Sequence, residues 1–97
     1  MAKLIYSDGA LSSFERIFEF VAETDPAMAL NVVDTIADAL DILKRHPLIG
    51  RLVEGGRNEL LVSRGKTGYV ALYRYNELLD TVFVLAIRHQ REAGYSD

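Results

Sequence analysis

The sequence predicts a single α+β domain in which an antiparallel pair of helices packs on a mostly antiparallel sheet. Two stretches with apolar residues at helical spacing come first, and a very short link at Asp25 and Pro26 joins them. Three runs rich in branched and aromatic residues follow, separated by turn signals. With a short strand before the helices, the predicted order is β-α-α-β-β-β, ending in a three-stranded antiparallel meander, within one domain of residues 1–97.

The first half of the chain gives the strand and the helical hairpin. A strand is predicted over Lys3–Tyr6, followed by a helix with Asp8 as its N-cap. An apolar side at helical spacing supports this helix almost as far as Asp25. Asp25 and Pro26 begin the second helix, because Asp is a good cap and Pro lacks only an N–H that would be unpaired there. The second helix is predicted to end at Pro47.

The second half gives a loop and three strands. Pro47–Gly56 shows no period and contains three glycines, so it is predicted to be a loop. Four apolar side chains of that loop are expected to tuck against the core: Leu48, Ile49, Leu52 and Val53. Arg57–Arg64, Tyr69–Tyr75 and Thr81–His89 are the predicted strands, and the polar tail Gln90–Asp97 is expected to be loose.

The charge pattern argues against a protein that binds nucleic acid over its whole surface. The net charge is −3, from 11 basic and 14 acidic side chains, whereas such proteins are usually basic. Residues 1–46 carry 4 basic and 8 acidic side chains, a net of −4, and residues 47–97 carry 7 and 6, a net of +1. A local basic site on an acidic body stays open, but sequence-specific binding of nucleic acid is not expected.

No cofactor, metal ion or membrane association is predicted. The chain has no cysteine, and its two histidines, His46 and His89, have no acidic neighbours at ligand spacing. The apolar start turns polar at Ser7, too early for a secretory signal, and no apolar run reaches membrane-spanning length. These features fit a protein of the reducing cytoplasm.

The most informative segment is the end of the last predicted strand. The apolar run Val82–Ile87 is typical of a strand buried on both faces. Two arginines, a histidine and a tyrosine follow within eight residues: Arg88, His89, Arg91 and Tyr95. Such a set suits a polyanionic or protein partner, and it could also cleave RNA, with His89 as acid or base and Tyr95 as acid. From the residues alone, we favour a plain strand end at the solvent edge.

A second pattern is the run of tyrosines in the middle strand. Tyr69, Tyr73 and Tyr75 fall on one face of it. Exposed tyrosines could stack nucleic-acid bases, whereas tyrosines beneath helices pack in the core with their hydroxyls at its rim. We expect core packing.

Four segments in a fixed order carry a family resemblance: Asp25–Ala27, Leu43–Arg51, Gly68–Tyr73 and Val84–Arg91. The most specific combination is His-Pro-x-x-Gly-Arg at His46–Arg51 together with a strand that ends in His-x-Arg at His89–Arg91. In these segments the chain resembles the ParE/RelE superfamily of toxins from bacterial type II toxin–antitoxin modules. The resemblance spans nearly the whole chain and implies the same order of elements.

That resemblance implies one of two functions. RelE-like members cut mRNA in the ribosome, whereas ParE-like members poison DNA gyrase and are not enzymes. The RelE-like site has a Tyr-Arg pair, and here Tyr69 is followed by Val70. Loss of a phosphate-binding arginine costs on the order of several kcal/mol of transition-state stabilisation, and the acidic charge disfavours docking into ribosomal RNA. We therefore prefer the ParE-like function.

A ParE-like function implies no catalytic residues, whereas a nuclease would use His89, Arg91 and Tyr95. The candidate surface for binding gyrase adds further arginines if the loop folds back, and comprises Arg51, Arg57, Arg88, His89, Arg91 and Tyr95. Replacing Arg88 and Arg91 by alanine is expected to relieve toxicity and leave the fold intact.

The resemblance also implies a ParD-like antitoxin that forms a heteromeric complex with the chain and neutralises it. A tail of the antitoxin that folds on binding could lie in a groove beside the helical hairpin, or along the sheet edge at Arg57–Ser63. A third alternative is a non-toxic module that only binds its antitoxin, because that binding needs no active surface.

Overall fold

The fold is an α+β sheet covered on one side by two helices, as predicted. The computed structural model describes residues 1–62, 68–91 and 94–95. The helices are α1 (Asp8–Ala22) and α2 (Pro26–Leu40), and the strands are β1 (Lys3–Tyr6), β2 (Arg51–Val53), β3 (Arg57–Leu61), β4 (Tyr69–Asn76) and β5 (Thr81–His89). The sheet order is β1-β5-β4-β3-β2, with β1 and β5 parallel and the other neighbours antiparallel. Neither helix combines the length and apolar character needed to cross a bilayer.

Both helices begin at a side-chain cap. The N-cap of α1 is Ser7, whose Oγ accepts a hydrogen bond from the Ala10 N–H at 3.2 Å. The prediction of Asp8 was wrong by one residue, and Asp8 instead lies in the first turn, where the helix dipole favours an acid. Asp25 caps α2 as predicted, accepting from the Met28 N–H at 3.1 Å.

The segment between α2 and β3 differs most from the prediction. It holds β2 and a 3₁₀ turn at Glu54–Gly56 rather than a plain loop. Leu48, Ile49 and Leu52 are 61%, 51% and 72% exposed, so the expected packing against the core was wrong for them. β2 joins the sheet through backbone pairing with β3, which requires no burial of its side chains. The same pairing covers residues 57–59, so β2 occupies that part of the predicted edge at Arg57–Ser63.

The core lies between the helices and one face of the sheet. The fully buried side chains of α2 and β5 include Ile36, Leu40, Val84 and Ile87. The predicted packing of the tyrosines is confirmed, because Tyr73 is fully buried and both Tyr69 and Tyr75 pack half-buried against the same cluster.

β1 pairs with the first half of β5, and α1 contacts the edge of β5 beyond the end of β1. Ser13 Oγ accepts from the Ile87 N–H at 3.0 Å, and Arg16 Nη2 donates to the Ile87 carbonyl at 3.0 Å. Gly9 permits this approach, since a Cβ there would lie 2.7 Å from the Leu85 carbonyl oxygen. The end of β5, which carries the candidate residues, is thereby fixed to a helix.

Candidate functional site

The sheet divides the predicted cluster at the end of β5 into two parts. Arg88 is paired with Val70, and His89 is paired with Tyr69. Successive side chains of a strand point to opposite faces. His89 therefore lies on the face covered by the helices, which we term the helix face, and Arg88 lies on the other, which we term the open face.

On the open face, one carboxylate gathers three of the predicted residues. Glu59 accepts from the Tyr95 hydroxyl at 2.5 Å and from Arg51 Nη2 at 2.8 Å. The Arg88 guanidinium lies 5.0 Å from the centre of the Tyr95 ring and also donates to two backbone carbonyls at 3.1 and 3.2 Å. We term Arg51, Glu59, Arg88 and Tyr95 the Glu59 cluster. The hydrogen bond to Glu59 holds Tyr95 against the sheet, although the tail that contains Tyr95 was expected to be loose.

Within the Glu59 cluster, the Glu59 carboxylate is stabilised by the hydrogen-bond donors and positive charges around it. Hydrogen bonds from Tyr95 and Arg51, aided by the charges of Arg51 and Arg88, hold the pKa of Glu59 below its usual value despite its burial. Burial and the bond to Glu59 raise the pKa of Tyr95. At neutral pH, Glu59 is therefore a carboxylate and Tyr95 is a protonated donor committed to it. Sequence reasoning missed Glu59, because its partner Tyr95 lies 36 residues away.

Arg57 reaches the open face but does not bond with the Glu59 cluster. Its Nε donates to the Glu54 carbonyl at 3.0 Å. The register of β3 and β4 places it opposite Arg74, a residue that the sequence did not single out. Arg64, the last residue of the predicted strand Arg57–Arg64, lies outside the described residues.

On the helix face, His89 borders a hollow at the end of the sheet. Its ring meets that of Tyr69 edge to face with centroids 5.3 Å apart, and its Nδ1 accepts the Arg91 backbone N–H at 3.1 Å. This bond assigns the proton of the neutral ring to Nε2. The hollow has a volume of about 510 Å³ and is lined by Arg16, Ile17, Phe20, Tyr69, His89 and Arg91.

A second hollow of about 560 Å³ continues the first along α2. The two share Phe20, Tyr69 and His89, and we term them together the helix-side groove. Its apolar wall includes Phe20 and Met28, which are 73% and 46% exposed. The groove thus has a long apolar wall, with Arg91 at the end nearest the strand terminus.

The two parts do not form one acid–base site. Tyr95 contacts the open face and His89 the helix face, so a phosphate group on either side meets only one of them. Beside Arg88, Val70 supplies no guanidinium, and Glu59 adds a negative charge. Within residues 1–62, 68–91 and 94–95, no group of three or more His, Asp or Glu could hold a metal ion.

Three solved toxin–antitoxin structures share this fold. The chromosomal ParDE system from P. aeruginosa matches with a TM-score of 0.78 and 22% identity, over 92% of this chain and 96% of that one. The RelBE2 complex from Mycobacterium tuberculosis matches at 0.60 and 22%, over 92% and 98%. The intact E. coli RelBE complex matches at 0.66 and 14%, over 95% and 100%. At these identities, the likeness establishes the fold alone.

Comparison of the sequence itself gives the family. No curated protein sequence matches the chain. The family described as ParE toxin of type II toxin-antitoxin system, parDE, matches residues 4–94, which is nearly the whole of the 97-residue chain. The predicted resemblance is confirmed, and the chain belongs to the ParE toxin family of type II toxin–antitoxin systems.

Proposed function

We propose that the chain is a non-enzymatic toxin that inhibits DNA gyrase and that a ParD-like antitoxin neutralises it. The observation that carries this proposal is the division of the predicted cluster by the sheet, with His89 on one face and Arg88 and Tyr95 on the other. Cleavage of RNA needs an acid, a base and phosphate-binding cations around a single bond. The described residues bring no such set together on either face.

The electrostatics of the open face also favour a binding role. Tyr95 is a weak acid there, because its pKa is raised and its proton is held by Glu59. The Glu59 carboxylate would repel a phosphate that approached Arg88. A RelE-like nuclease is therefore the poorer fit to these contacts.

We assign the target-binding surface to Arg51, Arg88 and Tyr95 of the Glu59 cluster. Tyrosine and arginine are enriched among residues that dominate protein interfaces. Arg51 and Tyr95 are already held by Glu59, and Arg88 by the Tyr95 ring and two backbone carbonyls, so little conformational entropy is lost when a partner binds them. The Arg51 side chain is 77% exposed and can contact a partner directly.

We assign the antitoxin to the helix-side groove. Its apolar wall of Phe20 and Met28 suits an amphipathic segment, and Arg91 at its end suits an acidic residue on that segment. The groove and Arg88 lie at the same end of β5, on opposite faces of the sheet. An antitoxin that extends from the groove around this end would obstruct a large target at the open face.

A supercoiling assay with purified chain and DNA gyrase, scored also for trapped double-strand breaks, tests the target. Inhibition with breaks is the expected result. If folded protein leaves gyrase unaffected and cleaves ribosome-bound mRNA, the RelE-like function holds instead. If it does neither but still binds its antitoxin, the chain is a non-toxic binding module.

Single substitutions assign the target surface to one face. Replacing both Arg88 and Arg91 is expected to relieve toxicity, and we expect Arg88→Gln alone to weaken gyrase inhibition by about tenfold. Arg91→Gln should leave gyrase inhibition intact and weaken antitoxin binding. The reverse pattern, with inhibition lost only in Arg91→Gln, would move the target surface to the helix face.

A further inference from the structure

Two arginines lie directly opposite each other on the open face, away from the Glu59 cluster. Asn58 pairs with Tyr73, so the next position of the same register places Arg57 of β3 opposite Arg74 of β4. Arg57 and Glu59 are two residues apart in β3 and share the open face, and Arg74 pairs on its other side with Phe83 of β5. Neighbouring guanidiniums on a strand pair repel each other, which disfavours the fold unless something offsets it.

Both guanidiniums are positioned by the backbone of one turn. Arg57 Nε donates to the Glu54 carbonyl at 3.0 Å, and Arg74 Nη2 makes a longer contact of 3.4 Å with the Gly55 carbonyl. Gly55 has a φ of 75°, and a Cβ there would lie 3.3 Å from Arg57 Nε, so the turn approaches that side chain closely. The two cations are therefore held side by side rather than spread apart in solvent.

Among the described residues, no carboxylate pairs with Arg57 or Arg74 in the way that Glu59 pairs with Arg51. Arg51, on the same sheet, forms an ion pair with Glu59 at 2.8 Å. No carboxylate of the described residues lies within 4.0 Å of either Arg57 or Arg74, and Glu54 contributes its carbonyl rather than its carboxylate. Each guanidinium has five N–H donors, and among residues 1–62, 68–91 and 94–95 each uses one of them.

We propose that Arg57 and Arg74 form a binding site for carboxylates of an acidic segment of a protein partner. Two adjacent guanidiniums held by backbone carbonyls present paired donors in a preset arrangement, which suits bidentate recognition of carboxylate groups. A bound acidic segment also removes the repulsion between the two cations. This site is separate from the surface assigned to gyrase and does not depend on gyrase being the target.

The charge distribution favours an acidic peptide over nucleic acid. The chain carries a net charge of −3, which disfavours a polyanion at long range. A phosphate backbone that followed the open face from Arg57 towards Arg88 would also meet the Glu59 carboxylate between them. A short acidic segment needs only the local pair of cations.

The test measures binding of a fluorescent hexaglutamate peptide to the full chain at low salt, with hexaglutamine as the uncharged probe. We expect saturable binding of hexaglutamate only, weakened by about tenfold or more in the double variant Arg57→Gln/Arg74→Gln. The matched control is Arg45→Gln, which removes an exposed arginine after α2 and should change the affinity by less than about twofold. The double variant should melt at the same temperature as the wild type or higher, because it loses a like-charge pair.

Several results would overturn the proposal. Absence of hexaglutamate binding, or equal binding by the double variant, removes the site. A lower melting temperature of the double variant, together with lost binding, makes the arginines structural. Tight binding of a short DNA duplex that the double variant loses would assign the pair to nucleic acid instead.

Discussion

β5 contributes side chains to both the helix face and the open face, and the surroundings of these side chains differ between the two faces. On the helix face, Ile87 is fully buried, and its backbone N–H and carbonyl are bonded by Ser13 and Arg16 of α1. On the open face, the next residue, Arg88, is half-buried under a tyrosine ring and a network of polar groups. Two adjacent residues of β5 thus have different roles, because Ile87 stabilises the core and Arg88 contributes to the surface of the open face.

This difference shows why neighbours in a strand are poor evidence for a shared site. Arg88 and His89 are adjacent in sequence, yet they contact different partners on opposite sides of the sheet. Residues far apart in sequence, Arg51, Glu59 and Tyr95, share the open face instead. A polar cluster at the end of a strand should therefore be split by alternation before chemistry is assigned to it.

The largest expected effect comes from Ile87→Ala on the helix face. Truncation of this fully buried side chain leaves a cavity against α1 and the core, and should reduce the free energy of unfolding by about 2–5 kcal/mol. Chemical denaturation measures it, with Ile87→Val as the graded control at about 1 kcal/mol. Arg88→Gln, one residue on, should cost less than about 1 kcal/mol. Equal losses at the two positions would contradict the division between the faces.

An intermediate effect is expected from Tyr73→Phe, which tests how the helix face supports the open one. The buried Tyr73 hydroxyl accepts the Gly50 N–H at 2.9 Å, immediately before Arg51. Its removal leaves that N–H without its partner and should cost about 1–2 kcal/mol. Tyr75→Phe, which loses an exposed bond to Asp80, is the matched control and should cost less than about 0.5 kcal/mol. Similar losses in both variants would mean that Tyr73 does not anchor β2.

The helices and the longer strands were predictable because each contains enough residues to show its apolar period. The apolar spacing of the two helices and the branched runs of β4 and β5 predicted their types and most of their bounds. The exception is α2, which ends at Leu40 and is followed by a 3₁₀ turn at Asp41–Lys44, whereas the helix was predicted to end at Pro47. The three-residue strand β2 has no readable period, and its glycine-rich surroundings resemble a loop. Its backbone pairing with β3 is a tertiary contact that sequence pattern does not encode.

The candidate site was predicted less completely than the fold. Arg51, Arg88 and Tyr95 do lie close together, but the role of Glu59 at the centre of this cluster could not be predicted without the strand register. Arg74 was missed for the same reason, since only the pairing of β3 with β4 sets it opposite Arg57. The separation of His89 from Arg88 follows from alternation and could have been expected from the sequence.

The smallest effect concerns the pH dependence of the Glu59 cluster. The pKa of Glu59 is lowered in the folded state from its usual 4.5, so the folded state favours the carboxylate. Its contribution is therefore present above pH 4.5 and is lost as the pH falls through the lowered folded value. Glu59→Gln should be less stable than the wild type by about 0.5–1 kcal/mol at pH 7, and the difference should shrink as the pH falls below 4.5. Urea denaturation of both proteins across this pH range measures it.

Tyr95→Phe separates the hydrogen bond from the ring contact in the same cluster. The phenyl ring keeps its place under the Arg88 guanidinium but no longer donates to Glu59. The backbone amide of residue 95 should then show a lower NMR order parameter, because Tyr95 loses its hydrogen bond to Glu59 of β3 while the helix face is untouched. The amides of Val82 and Ile87, whose side chains are buried in the core, serve as internal controls and should not change. A general loosening of β5 would show that the two faces depend on each other after all.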